Sequence, residues 1–152
     1  MAAGAGGQGM NGAESAAVAA IFLWLGMVTA ISFLEAPLKF RAPGVTLPIG
    51  LGIGRLVFRA LNLAETVLAV LVVVTMILGA PPVWFLVPGA AAVALLGLQL
   101  AAVRPRLARR SDAVLSGAGT AGSRSHYAYI ALEVLKVLAL LIAGVALLAF
   151  PR

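Results

Sequence analysis

Residues 127–150 read YAYIALEVLKVLALLIAGVALLAF, an apolar run interrupted by only two charges, Glu133 and Lys136. A helix rises about 1.5 Å per residue and the hydrocarbon layer is about 30 Å thick, so roughly 20 such residues make one crossing. A charge held at that depth is costly and needs a partner, a proton, a water-filled cavity or a ligand. Glu133 and Lys136 lie three residues apart, on one helical face, where each lowers the cost of burying the other. His126 and Tyr129 fall on the same stripe, the four residues being spaced by three, four and three.

Three further runs of this kind precede it, and the four spans are expected at about 15–34, 60–78, 83–103 and 127–150. With 62% hydrophobic and 11% charged residues and a mean hydropathy of +1.10, an ordinary soluble domain is excluded. The fold class is all-α, a polytopic membrane protein built as a four-transmembrane-helix bundle. Residues 1–14, small and glycine-rich, are expected to form a flexible tail before a single domain at 15–152, with Met10 as an alternative start. The first apolar run lacks the basic opening of a secretory signal, so it reads as a retained span. Gly79, Pro81 and Pro82 stop the second span. Trp84 is placed to anchor the third at an interface, and Pro88 with Gly89 predicts a kink or a later helix start.

Basic residues set the topology. Lys39, Arg41, Arg55 and Arg59 lie between spans one and two, Arg104, Arg106, Arg109, Arg110 and Arg124 between spans three and four, and none between two and three. Both basic loops share one side, which the positive-inside rule assigns to the cytoplasm. The expected location is therefore the cell (inner) membrane, multi-pass, with both termini extracytoplasmic. Lys39, Arg41, Arg104, Arg106, Arg109 and Arg110 are the expected contacts to lipid headgroups.

The stretch IGLGIGRLVFRALNLAE (49–65) places Arg55, Arg59, Asn62 and Thr66 on one face, bordered by Glu65, as an amphipathic cytoplasmic helix running into span two. Glu65 and Glu133 should lie about 8–10 Å inside the cytoplasmic surface, with Lys136 a turn deeper and Glu35 near the surface. An intramembrane polar cluster is therefore expected from Glu35, Arg55, Arg59, Asn62, Glu65, His126, Tyr129, Glu133 and Lys136. It is either a salt-bridge network that fixes helix pairing or a proton, ion or ligand site. Aligning Glu65 with Glu133 superimposes NLAETVLAVLVV on IALEVLKVLALL, which reads either as an internal repeat of parallel halves like those of transporters or as a chance match in leucine-, valine- and alanine-rich sequence.

Other chemistry finds little support. The chain has no cysteine, which removes disulfides, thiolate ligands and a thiol nucleophile. His126 is its only histidine and no carboxylate–histidine pair of di-iron type occurs, so no metal and no cofactor are expected. GLGIG lacks the following lysine of a phosphate loop. Ser32, Ser111, Ser116 and Ser123 have no partner pattern of a nucleophile, and no catalytic residue is assigned. Gly26, Ala30, Gly89, Ala90, Ala94, Gly97, Gly144 and Ala146 suit close helix packing.

WLGMVTAISFLEAPLKF (24–40) followed by GLGIGRLVFRALNLAE (50–65) resembles the small four-helix membrane proteins of the transmembrane protein 205-like domain family. The resemblance rests on Phe33, Ala36, Pro37 and Phe40, then Gly54 and Phe58. It covers the N-terminal half and implies a four-span bundle with no catalytic residues to carry over. The expected function is that of a non-enzymatic accessory subunit or helix-packing component of a membrane complex. The alternatives are a small oligomeric proton- or ion-coupled transporter and, third, a lipid- or quinone-active enzyme. Expected partners are the bilayer with its anionic phospholipids and either a membrane-protein partner or further copies in a homo-oligomer. Nucleic acid is not expected.

Overall fold

A computed structural model describes residues 12–79, 81–116 and 124–150, without the side chains of 110, 114, 115 and 124–126. Most of the tail expected at 1–14, Met10 included, the side chains of Arg110, Arg124 and His126, and Ser123 lie outside it. Among the described residues every regular element is helical, and four helices are long and apolar enough to cross a membrane.

Helix α1 (Gly12–Val28) continues without a break into a π-helical segment, Thr29–Glu35, then a short α turn, Ala36–Leu38, and a 3-10 turn, Lys39–Arg41. The chain reverses there because Ala42 is extended, with φ −69° and ψ 136°, and Gly44 takes φ 77°, a left-handed conformation that glycine adopts without a Cβ clash. Helix α2 (Leu47–Gly79) has Pro48 in its first turn, where a missing N–H costs nothing. At 33 residues it spans about 50 Å, more than the hydrocarbon layer requires. The amphipathic stretch and the second span are therefore one helix whose first turns carry Arg55 and Arg59.

Pro82, extended at ψ 157°, caps α3 (Val83–Leu98). The helix starts before Pro88 and runs through it, and Gly89 brings the chain against α2, since a Cβ there would run into Met76 Cε. A second π-helical segment, Gln99–Val103, leads into α4 (Arg104–Leu115), and α5 (Arg124–Ala149) completes the bundle. The hydrogen bonds Ala36 N–H to Ile31 O and Arg104 N–H to Gln99 O are i→i+5 closures that widen the helix.

Helix α5 packs on α1 and α3, and α1 packs on α2, while α2 and α3 touch lightly. Ile21, Trp24, Val72, Phe85, Ala92, Leu140 and Ala143 form the dry centre. Leu56, Leu63, Ile77 and Leu78 face outward, an apolar exterior suited to lipid. Among the described residues, four charged or amide side chains are buried, Glu65, Gln99, Glu133 and Lys136, and Glu133 meets both π-helical segments through Ser32 and Gln99. Among the glycines read as packing positions, Gly144 lets α5 approach Phe22 and Ile21, whereas Gly26 and Gly97 face open space.

Candidate functional site

Lys136 is the hub. It is 0% exposed, as is Glu65, and Glu133 is 1% exposed, so none of these charges is solvated by bulk water and each depends on its partners. The ammonium has three N–H donors. It donates to Glu65 Oε1 and to Gln99 Oε1 at 2.8 Å, and lies 2.9 Å from Glu133 Oε2. Glu133 is equally saturated: its Oε1 accepts from Ser32 Oγ at 2.6 Å and Tyr129 OH at 3.1 Å, and its Oε2 accepts from Gln99 Nε2. Gln99 thus uses both ends of its amide, one toward the lysine and one toward the carboxylate.

Glu65 is only half satisfied. Its Oε1 accepts from Trp24 Nε1 at 3.0 Å as well as from Lys136. Its Oε2 is buried and accepts no hydrogen bond, with the Arg104 Nη2 atom 3.7 Å away. Arg104 in turn donates to the Phe58 carbonyl at 2.9 Å and reaches Tyr129 OH at 3.4 Å. Two carboxylates and two cations therefore balance, with contributions from α1, both π-helical segments, α2, α4 and α5.

Arg104 is also the link to a cavity of about 700 Å³ at the end of the bundle that carries the basic residues. Ser32, Tyr129 and Glu133 form its inner end, and Lys39, Arg55, Arg59 and Arg104 surround it. Phe58 forms part of the wall between two cations, Lys39 Nζ at 5.4 Å and the Arg104 guanidinium carbon at 5.6 Å from the ring centre, a favourable arrangement for an aromatic face. Gly54 leaves room for Lys39, since a Cβ there would stand 2.9 Å from its Nζ. Phe33, Ala36, Pro37, Phe40, Gly54 and Phe58, the six motif positions of the N-terminal half, all line this one cavity.

The expected cluster therefore divides into two tiers. Glu65, Tyr129, Glu133 and Lys136 are brought together in the closed network, and Arg55, Arg59 and Asn62 border the cavity. Glu35 stays out of the network and pairs with Lys39 at 3.3 Å, while Arg55 bridges to Asp112 at 2.6 Å. Among the residues read as headgroup contacts, Arg104 is turned inward, with its side chain 14% exposed, and Lys39 lines the cavity. Arg41, Arg106 and Arg109 are exposed at the surface, Arg106 folding back on the Ala102 carbonyl at 2.9 Å.

Trp24, Ser32 and Gln99 complete the network without having been marked by charge or stripe. The available signals were Gln99, an amide alone within an apolar span, and Trp24, an N–H donor in mid-span where an indole needs an acceptor. Among the described residues, no group of three or more histidine or acidic side chains is arranged to hold a metal ion. Comparison with family models, with curated proteins and with solved structures finds no match to this chain.

Proposed function

We propose that this chain is a non-enzymatic protein of the bacterial inner membrane that binds a ligand in the cavity at its basic, cytoplasmic end, alone or as an accessory subunit of a larger complex. Both termini are then extracytoplasmic. The single observation that supports this most is the cavity of about 700 Å³, within the size range of small-molecule sites, built over an ion network too fully satisfied at Lys136 and Glu133 to serve as the reacting group. The six motif positions that resemble the transmembrane protein 205-like domain family support the same reading, because they make its wall.

The test is native mass spectrometry of protein extracted gently from its own membrane, comparing wild type with Ala108→Trp and Ala36→Trp, which fill the cavity from two different walls. A bound species carried by the wild type and lost from both variants is the expected result. Bound species identical in all three proteins would overturn the proposal.

A second reading, a proton- or ion-coupled carrier, is favoured by one observation: the Glu65 Oε2 atom that accepts no hydrogen bond at the junction of network and cavity. In that case Glu65→Gln leaves the bundle assembled and abolishes pH-driven uptake in reconstituted vesicles. Uptake unchanged in a folded Glu65→Gln variant would remove the carrier reading.

A further inference from the structure

The wall and the mouth of the cavity ask for different chemistry. Its wall is predominantly apolar, with Phe40 and Phe58 against its basic side chains. A small inorganic anion would leave that apolar surface unused, and a pure hydrocarbon would bury the cations without a counter-charge.

The cations are unequally matched. Lys39 has Glu35 and Arg55 has Asp112, and Arg104 shares a distant Glu65 oxygen at 3.7 Å. Arg59 has no ion partner among the described residues, and the Glu133 charge is taken up by Lys136 beneath it. Four buried side-chain atoms among the described residues lack a hydrogen-bond partner, and three belong to residues lining this cavity: Arg55 Nε, Arg104 Nε and Asn62 Oδ1. Two of the three are guanidinium donors, the groups that match phosphate oxygens best. The third is an acceptor, which calls for a hydroxyl or amine on the same ligand.

Resting on the proposal that the cavity holds a ligand, we infer that this ligand is one anionic phospholipid with a hydroxyl-bearing headgroup. Its phosphate sits among Arg55, Arg59 and Arg104, its headgroup hydroxyl folds back to Asn62, and its chains pass Phe58 and Phe33 toward the bilayer centre. The leaflet at the basic end supplies such a molecule at high local concentration, and the cations draw the anionic form over the zwitterionic one. A ligand phosphate also competes with Glu65 for Arg104, so occupancy of the cavity loosens the one unsaturated edge of the network.

The probe is phosphatidylglycerol. The full chain is incorporated into vesicles containing it, re-extracted, washed at about 0.5 M salt, where surface contacts are screened, and weighed by native mass spectrometry. The wild type should keep one phosphatidylglycerol per chain. Arg59→Gln, which breaks no ion pair among the described residues, should lower that occupancy about tenfold, as expected for one charge-assisted contact. Arg55→Gln with Arg59→Gln should lower it further, and Arg109→Gln, at the exposed surface where the salt wash screens any headgroup contact, should leave it unchanged.

Short-chain phosphatidylglycerol should displace the bound lipid while inorganic phosphate at equal concentration does not. Displacement by inorganic phosphate would make this a free-oxyanion site and overturn the lipid assignment. So would equal retention by Arg59→Gln and Arg109→Gln, which marks a non-specific lipid annulus. If Ala108→Trp and Ala36→Trp release a species without phosphate, the lipid assignment fails and the cavity reading stands. If they release nothing, both fail.

Discussion

Lys136→Met should destabilise the bundle by about 3–5 kcal/mol, the range for breaking a buried ion pair from one side. The side chain is 0% exposed and meets Glu65, Gln99 and Glu133 at once. Its removal leaves two buried carboxylates with Arg104 as the remaining cation of the network among the described residues, and strips the Gln99 carbonyl of its donor. Glu133→Gln combined with Lys136→Met removes one charge of each sign and retains a side chain that accepts from Ser32 and Tyr129. The double variant should therefore be more stable than Lys136→Met alone by at least about 1 kcal/mol, a non-additivity within the range for residues in contact. Reversible unfolding in mixed micelles, titrated with denaturing detergent, measures both. A double variant less stable than the single one would mean that Lys136 and Glu133 are not acting as a pair.

In a bilayer the helices remain inserted when the bundle comes apart, and the polar groups find other partners there, which reduces measured interhelical hydrogen-bond energies. The buried charges suffer that discount less than neutral groups do, because an isolated helix must carry Glu133 and Lys136 at depth or pull them toward the interface. The network is thus expected to act chiefly on which helices pair, with Glu65 from α2 and Gln99 at the end of α3 both registered against α5.

How far this was legible in the sequence depends on the type of signal. Span number and type followed from long apolar runs, because only a helix satisfies its own backbone in lipid. The pairing of Glu133 with Lys136 was legible from their spacing of three. Ser32 and Gln99 were not, because both sit in π-helical segments, where the extra residue per turn rotates side chains off the 3.6-residue stripe used to read the faces. Arg104 belongs by composition with its loop neighbours Arg106 and Arg109, and only the approach of Phe58, Glu65 and Tyr129 turns it inward. Glu35 was placed with the cluster by depth alone, whereas Lys39 lies one helical turn away and captures it first. The 68-residue offset that aligns Glu65 with Glu133 also lays Gln99–Val103 on residues 31–35, inside the first π-helical segment.

Trp24→Ala should cost about 3–5 kcal/mol in the upper case, the usual range for a fully buried tryptophan. Trp24 is 0% exposed at the centre of the bundle and donates to Glu65 Oε1 at 3.0 Å, so the substitution removes both volume and a charge-assisted hydrogen bond. Trp24→Phe separates the two: it retains an aromatic ring and loses the N–H, with an expected cost of about 1.5–3 kcal/mol for a bond to a charged group. The part of the aqueous value that comes from transferring apolar surface out of water largely vanishes between inserted helices, since lipid chains are as apolar as the core. What remains is the void and its lost contacts, inside the buried core that also holds Ile21, Val72, Phe85 and Leu140, which lipid chains cannot easily fill from outside. Because the chain lacks cysteine, single introduced thiols on α1 and α2 can report their separation during unfolding in mixed micelles. A loss from Trp24→Ala no larger than that from Trp24→Phe would mean that the indole matters only as a donor to Glu65. A clear excess would identify it as the packing wedge that holds α1 and α2 at the distance the ion network requires.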